Sequence, residues 1–256
     1  ETYMDCPFYE QILYVGDARL EALCTYSLTS DHRLIAKCLR LLLLSQREDG
    51  SILSQYPSKG VQVIPSYMMI CILMFRDWFG VHGRDCLFLE LFPRIQRLME
   101  YLDSNIGEEG LIHIPGWNFI DWCEGWNNGV PPGEGPDSIL NLFMVLAYQA
   151  MNRITGEPYW RSRGDTLLEK IAAGFYDPSR KLLAIDSGKH YFSEHSQVLA
   201  LLAGTSLPLA ESLKNEKHLT ECGIYFSFYY LEACVKKGLG GLFDRRMACY
   251  EKLLGE

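Results

Sequence analysis

The hydrophobic pattern of the chain constrains its fold more than any other feature. Apolar residues recur at helical spacing in one segment after another, and few stretches show the alternation of a half-buried strand. Glycines follow several of these segments, as they do at helix ends, and Ser30 or Asp31, Asp137 or Ser138, and Ser193 are plausible caps. We predict helices at residues 9–29, 31–47, 65–80, 86–103, 137–155, 157–174, 194–203, 208–217, 224–237 and 240–254.

The connections between these segments alternate between short and long. Short turns lie near residues 30, 81–85, 156 and 238–239, and long loops span 48–64, 104–136 and 175–193. A ring of helical hairpins produces this alternation, so we predict an all-α fold, an (α/α)6 toroid. Twelve helices complete such a ring, so either one helix precedes residue 1 and one follows residue 256, or the count is wrong. A helical-repeat solenoid is the alternative, but no motif recurs at a fixed period of about 34 or 40 residues.

Composition excludes several classes of function. The 256 residues fit one large domain. The net charge of −8, from 24 basic and 32 acidic residues, disfavours nucleic acid and anionic membranes as partners. No apolar run approaches the ~18 residues that a membrane-spanning helix needs. The sequence contains no Gly-x-Ser-x-Gly, Gly-x-Gly-x-x-Gly or P-loop pattern. It therefore gives no support for an α/β-hydrolase, a dinucleotide-binding site or an NTP-binding site.

The cysteines give no sign of a disulfide framework or of a metal. There are nine, an odd number, with no Cys-x-x-Cys pair, and no histidine pair has the spacing of zinc ligands. Most lie in apolar helical patterns, so we expect buried, free thiols, which suit a reducing compartment or an anaerobic periplasm. We therefore predict neither a metal nor a cofactor.

The segment at residues 5–17 carries the densest group of acids beside aromatic rings. If residues 9–20 are helical, Glu10, Tyr14 and Asp17 lie at i, i+4 and i+7 on one face, with Asp5 just before them. Two acids and a ring on one face can hold and protonate a sugar. The alternative is a solvated helix whose acids face the positive end of the helix dipole.

The loop at 104–136 is the second candidate for a binding site, because loops of this length in compact domains are usually functional. Three of the five tryptophans, Trp117, Trp122 and Trp126, lie inside this loop within a stretch of ten residues. Indole faces stack on sugar rings while amides and carboxylates bond to hydroxyls, although tryptophans can instead anchor a loop. The candidate sugar contacts are Trp117, Asn118, Asp121 and Trp122. His195, at a predicted helix start, either bonds to a substrate hydroxyl or is structural.

Five blocks of the chain, in order, resemble one protein family. They are Asp5-Cys6-Pro7-x-x-Glu10-Gln11-x-x-Tyr14-x-Gly16-Asp17, Gln55-Tyr56-Pro57-Ser58 with Gln62-Val63-Ile64-Pro65, Trp117-Asn118-Phe119-Ile120-Asp121-Trp122, Ser193-Glu194-His195-Ser196-Gln197 with Ala200-Leu201, and Leu219-Thr220-Glu221-Cys222 with the run to Gly240. The pattern resembles the bacterial α-L-rhamnosidases, inverting glycoside hydrolases of family 78. The resemblance covers nearly all of the chain and implies the same (α/α)6 fold.

The resemblance also implies a function and residue roles. Glu10 corresponds to the general acid, and Asp5 and Asp17 to residues that bind rhamnose hydroxyls. Tyr14 replaces a tryptophan found in many relatives, so it offers a smaller ring and a hydroxyl. The implied substrate is a rhamnose-containing oligosaccharide or glycoside. We expect Asp5, Glu10, Tyr14, Asp17, Asp121 and Trp122 to line one cleft.

The family's general base is not found in the chain. In the family it is a glutamate in a Thr-Thr-x-x-Glu block, and the sequence ends about where that block should begin. We therefore expect the base past residue 256, and expect residues 1–256 to be a single catalytic domain of a longer protein with β-sandwich domains. Glu124, Glu134 and Glu194 are alternatives for the base within the chain.

Two other functions stay open. One is a non-catalytic carbohydrate-binding module on the same fold, because the base is not found. The other is a different (α/α)6 enzyme such as an unsaturated uronyl hydrolase, whose acidic sugar would need an arginine. Arg19, two residues past Asp17, is the candidate for that arginine.

Overall fold

The computed structural model describes residues 1–215 and 218–255, and these residues are mostly helical. The helices are α1 (Val15–Leu28), α2 (Arg33–Leu44), α3 (Pro65–His82), α4 (Cys86–Ser104), α5 (Ser138–Thr155), α6 (Pro158–Phe175), α7 (Glu194–Ala203), α8 (Leu209–Asn215), α9 (Ser227–Lys237) and α10 (Gly240–Leu254). Two short strands, β1 (Tyr176–Asp177) and β2 (Leu182–Leu183), pair antiparallel between α6 and α7. The all-α prediction is confirmed, and the last two residues of the predicted helix 208–217 lie outside the described residues.

The first predicted helix is wrong at its start, because α1 begins at Val15 and not at residue 9. Asp5 and Ile12 close the preceding residues into a loop. The Asp5 N–H donates to the Ile12 carbonyl, and the Ile12 N–H donates to Asp5 Oδ1, each at 3.0 Å. Gln11 has a φ of 54°, in the left-handed region that a right-handed helix excludes. Glu10 therefore does not share a helical face with Tyr14 and Asp17.

Two predicted caps differ from the observed ones, and two aspartates cap helices. His32, and not the predicted Ser30 or Asp31, precedes α2 and makes no side-chain cap bond, and Ser193 precedes α7 as predicted but makes none either. Asp137 Oδ1 accepts from the Leu140 N–H at 2.8 Å at the start of α5, as predicted for a cap. Asp85, which the sequence analysis did not single out, accepts from the Phe88 N–H at 2.8 Å and so caps α4.

The contacts divide the chain into two compact units. Unit 1 comprises residues 1–118 and 146–164, and unit 2 comprises residues 119–145 and 165–256. Helices α5 and α6 contribute residues to both. The prediction of a single domain over 1–256 stays a prediction.

Helix α3 forms the centre of unit 1. It is buried continuously from Pro65 to Phe75, which its apolar sequence on every face permits, and it contacts α1, α2 and α4. The ring of Phe75 stacks on that of Phe88 with centroids 5.1 Å apart, and Phe88 stacks in turn on Phe92 at 5.1 Å. These rings fix α4 against α3.

Helix α7 forms the centre of unit 2, as α3 does in unit 1. Its residues from His195 to Ala203 are all buried, and it packs against α8 and α9. Phe143, Phe226 and Tyr229 form an aromatic cluster beside it, with centroids 5.0–6.1 Å apart. A central, buried helix explains why every residue from Val198 to Ala203 is apolar.

The cysteines are free thiols, as expected, but not all are buried. Cys38, Cys71, Cys222 and Cys234 are buried, whereas Cys24, Cys86 and Cys249 are exposed. The prediction of burial is wrong for the exposed three because a cysteine in an amphipathic helix follows the face on which it lies. Among the described helices, none is long and apolar enough to cross a membrane.

A buried ion pair links α1 to α3 inside unit 1. Arg19 is 2% exposed, and its Nε lies 2.8 Å from Asp77 Oδ2. We predict that Asp77→Ala lowers the free energy of unfolding by ~3–5 kcal/mol, because the Arg19 charge stays buried without that carboxylate. Chemical denaturation of the purified protein measures the loss.

The matched control is Glu90→Ala, which removes an equally close but exposed partner of Arg40, 2.7 Å away. There we expect a change below about 1 kcal/mol, since solvent screens exposed pairs. Equal losses in the two variants would show that the burial of Arg19 does not increase the free-energy cost of losing its partner.

Candidate active site

The loop closed by Asp5 and Ile12 turns Glu10 back towards Asp5. Cys6 Sγ accepts hydrogen bonds from the Tyr9 N–H at 3.3 Å and from the Glu10 N–H at 3.2 Å, which holds the turn. A carboxylate oxygen of Asp5, Cys6 Sγ and a carboxylate oxygen of Glu10 lie within 4.8 Å of one another. These three atoms could hold a cation, but Glu10 is exposed and such acidic groups are common without one.

Because Asp5 and Glu10 lie close together, the pKa of one is lowered and the pKa of the other is raised. A hydrogen bond to Asp5, burial, and the charges of Asp5 and Asp17 raise the pKa of Glu10 to about 7. Burial disfavours the charged form of Asp5, but hydrogen bonds from Glu10 and from the Ile12 and Cys6 amides outweigh it and lower the pKa of Asp5. Near pH 7 Glu10 is therefore about half protonated, beside an ionised Asp5.

Helix α1 adds two more acids on one face. Asp17 lies in its first turn, and burial raises the pKa of Asp17 to about 6. Glu21 lies one turn later, and burial together with the charge of Asp17 raises its pKa to about 7. Glu21 Oε2 is buried with no hydrogen-bond partner in the described part of the chain. The sequence analysis did not single out Glu21, although its i+4 spacing from Asp17 could have shown it.

Tyr14 precedes α1 and is tied by backbone hydrogen bonds to the segment around Gln55. It forms an antiparallel bridge with Gln55, where the Val15 N–H donates to the Ser54 carbonyl at 3.0 Å and the Tyr56 N–H donates to the Leu13 carbonyl at 3.1 Å. Burial raises the pKa of the Tyr14 hydroxyl, and the charges of Glu10, Asp5 and Asp17 add to this effect. The hydroxyl therefore stays protonated among these acids and can donate a hydrogen bond.

The same backbone ladder reaches Trp117. The Ser54 N–H donates to the Gln62 carbonyl at 3.0 Å, and the Trp117 N–H donates to the Val63 carbonyl at 3.3 Å. Trp117 and Asn118 are both half-buried, and Asn118 Oδ1 has no hydrogen-bond partner among the described residues. In unit 1 the backbone thus connects Tyr14 through Gln55 and Gln62 to the candidate sugar contacts at Trp117.

In unit 2, Asp121 and His195 form a buried pair. Asp121 is 1% exposed and His195 is 0% exposed, and His195 Nε2 lies 2.9 Å from Asp121 Oδ2. The Gly223 N–H donates to the same oxygen at 2.6 Å. A Cβ on Gly223 would lie 2.8 Å from Asp121 Oδ1, so a side chain does not fit there. The described contacts of both residues are internal, and their contact with a sugar stays a prediction.

Cys123 and two aromatic rings complete this buried group. Cys123 Sγ lies 3.4 Å from His195 Nε2 and 3.5 Å from Asp121 Oδ2. The His195 ring packs between Trp126 and Phe226, with centroids 4.6 and 4.4 Å away. Trp126 therefore anchors its loop, as the alternative interpretation of the tryptophans proposed. No spacing pattern marks Cys123, because His195 is 72 residues away in sequence.

Trp122 differs from its buried neighbours, because it is 64% exposed. Its ring lies 5.1 Å from that of Phe119, which is buried. Phe119 leaves no room for a side chain at Gly129, where a Cβ would lie 2.5 Å from the ring and φ is +69°. The buried loop residues thus present an indole face to solvent.

The other candidates from the sequence fall into two groups. Glu124 and Glu134 are exposed, whereas Glu194 Oε2 accepts from the Cys222 N–H at 2.8 Å and pairs with Arg246. Arg19 is buried against Asp77. Asp5, Glu10, Tyr14 and Asp17 come together in unit 1, and Asp121 and His195 in unit 2, while one cleft shared by both groups stays a prediction.

Comparison with known proteins gives one family and several similar folds. Residues 1–221 match the bacterial alpha-L-rhamnosidase 6 hairpin glycosidase domain. The chain is similar to a family 78 rhamnosidase of Bacillus sp. GL1, at 27% identity and a TM-score of 0.88 over 99% of the chain. No curated protein sequence matches at a significant level.

Two further structures share the fold at lower identity. A rhamnosidase from Klebsiella oxytoca, solved with rhamnose bound, has 21% identity and a TM-score of 0.80 over 98% of the chain. A family 105 glycoside hydrolase of C. acetobutylicum has 11% identity and a TM-score of 0.53 over 90%. The chain spans 28% of the Bacillus protein, 50% of the Klebsiella protein and 64% of the Clostridium protein.

The family match covers most of the chain, and the helices agree with the six-hairpin, (α/α)6 class predicted from the sequence. The chain therefore belongs to the bacterial α-L-rhamnosidase six-hairpin glycosidase family.

Proposed function

We propose that the chain carries the acid side of an inverting α-L-rhamnosidase, with Glu10 as the general acid. The observation that carries the proposal is the loop geometry that places a carboxylate oxygen of Glu10 within 4.8 Å of one of Asp5, where the hydrogen bond to Asp5 raises the pKa of Glu10 to about 7. A general acid needs a pKa close to the working pH, because it must hold its proton and yet give it up in the transition state. The proposed substrate is a rhamnose-containing oligosaccharide or glycoside.

In the proposed reaction, Glu10 protonates the glycosidic oxygen as the bond to the anomeric carbon breaks. The positive charge that develops on the sugar is favoured by the nearby carboxylates of Asp5 and Asp17. The same carboxylates and the Tyr14 hydroxyl can bond to the sugar hydroxyls. Within unit 2, exposed Trp122 is proposed as a stacking face for a sugar ring, on the loop that the Asp121–His195 pair holds in place.

The base that activates water is not Asp5. Inverting enzymes separate their two carboxyl groups by about 6.5–9.5 Å to leave room for water, whereas oxygens of Asp5 and Glu10 lie within 4.8 Å. Glu194 is already paired with Arg246, so of the three glutamates considered as the base within the chain the exposed Glu124 and Glu134 are the better candidates.

The two alternative functions have less support. A uronyl hydrolase would need an arginine towards the sugar, and Arg19 is buried against Asp77. A non-catalytic carbohydrate-binding module would not need a carboxyl group held protonated near neutrality. Such a module would bind rhamnosides without turnover, so the assays below distinguish it.

The first prediction concerns the leaving group. In the complete protein, Glu10→Gln lowers kcat by about 10²–10⁴ on rhamnosides with poor leaving groups, because the amide cannot donate a proton in the same way. Activated aryl rhamnosides lose much less, since their leaving groups need little protonation. Steady-state kinetics on both substrate types gives the two losses.

Glu100→Gln is the matched control, because Glu100 is an exposed glutamate on α4 in the same unit. It leaves both rates unchanged. Equal losses of Glu10→Gln on both substrate types would remove Glu10 from the acid role.

A second prediction concerns pH. The active form of Glu10 is protonated, and its pKa is raised to about 7, so this form is present below about pH 7 and is lost above it. We expect kcat/KM for a poor leaving group to fall tenfold per pH unit on the alkaline side of about pH 7. The residual activity of Glu10→Gln lacks this fall, and a wild-type profile flat to pH 9 would argue against a protonated Glu10.

The stereochemistry of the product tests the mechanism. We expect the sugar released first to have the inverted anomeric configuration, observed by NMR before mutarotation. Retention would instead point to a covalent intermediate and to Asp5 or Asp17 as nucleophile.

A further inference from the structure

We propose that Asp121, Cys123 and His195 form a zinc-binding site in unit 2. One oxygen, one sulfur and one nitrogen from these side chains lie within 4.8 Å of one another. The proposed site uses none of the acids of the loop at residues 5–12 and needs no assumption about the reaction that the protein catalyses.

The distances between the three ligand atoms are close to those on one face of a zinc tetrahedron. With zinc bonds of about 2.0–2.1 Å to nitrogen and oxygen and about 2.3 Å to sulfur, tetrahedral angles place the ligand atoms about 3.3–3.5 Å apart. The observed separations are 3.4 Å from Cys123 Sγ to His195 Nε2, 3.5 Å from Cys123 Sγ to Asp121 Oδ2, and 2.9 Å from Asp121 to His195. Movements of a few tenths of an ångström are enough.

The charges also favour a divalent cation. Asp121 is buried, and the ion pair described for it is with His195, which compensates the carboxylate only when protonated. Asp121 Oδ1 has no hydrogen-bond partner among the described residues, which is costly for a buried carboxylate. A zinc ion balances one carboxylate and one thiolate, and neutral imidazole then completes a set with no net charge.

The surroundings hold two of the ligands in place. The Gly223 N–H fixes Asp121 at 2.6 Å, and the rings of Trp126 and Phe226 confine the His195 imidazole. Cys123 is half-exposed, so an ion can enter from its side, and three protein ligands leave the fourth position for water.

The site does not match any motif in the sequence. Zinc motifs pair cysteines or histidines a few residues apart, whereas this set has one Cys, one Asp two residues before it, and one His 72 residues later. Only the packing of α7 beside the loop that contains Asp121 brings them together.

Cobalt binding tests the proposal. The purified protein is treated with a chelator under reducing conditions, dialysed, and titrated with Co²⁺, which occupies zinc sites and reports thiolate ligands by a charge-transfer absorption band. We expect the band to saturate at one ion per chain, and Zn²⁺ to abolish it by displacement. Cys123→Ser loses the band, and its zinc affinity falls by at least about tenfold, since even outer partners of a metal cost 10–100-fold.

Cys24→Ser is the matched control, because Cys24 is an exposed cysteine of unit 1, and it keeps the band. Circular dichroism checks that each variant folds, and His195→Gln serves as a second ligand variant if Cys123→Ser does not fold. Absence of the band in the wild-type protein, or its persistence in folded Cys123→Ser, would overturn the proposal. Rhamnosidase activity does not enter the readout, so failure here is distinct from failure of the proposed reaction.

Discussion

The arrangement of acids in unit 1 depends on the two hydrogen bonds between Asp5 and Ile12. They close the loop before α1, and within this closed loop Glu10 lies beside Asp5. Closure places two carboxyl groups side by side, and the low pKa of one and the high pKa of the other are two results of the same contact. Neighbouring Asp17 and Glu21, partly buried on α1, keep the surroundings acidic.

In unit 2 the polar candidates lie inside the fold and the aromatic candidate lies at its surface. Asp121 and His195 are buried, and Trp122 is exposed. A buried carboxylate needs partners, and Gly223 and His195 provide them from distant parts of the chain while Cys123 provides one from two residues away. The proposed contact surface and the proposed zinc site thus depend on the same loop but use different side chains.

Much of the helical content was predictable from the sequence, whereas the candidate sites were predictable only in part. Long apolar repeats mark α3 and α7 because a buried helix needs them, and the predicted and observed bounds of α7 agree. The start of α1 was not predictable by periodicity, because the loop before it is set by the Asp5 side chain and by a left-handed Gln11. The position of Cys123 beside His195 results from tertiary packing between residues 72 apart in sequence, so no local sequence pattern predicts it.

The double use of the Asp5 carboxylate has an evolutionary consequence. Its Oδ1 accepts from the Ile12 amide, and the same carboxylate sets the proton affinity of Glu10. Replacement of Asp5 would remove both properties in one step, so the position can drift only if a compensating change arises elsewhere in the loop. Asp17 does not have to close the loop, because its backbone is already fixed by α1. Relatives that have changed specificity should therefore vary at Asp17 before they vary at Asp5.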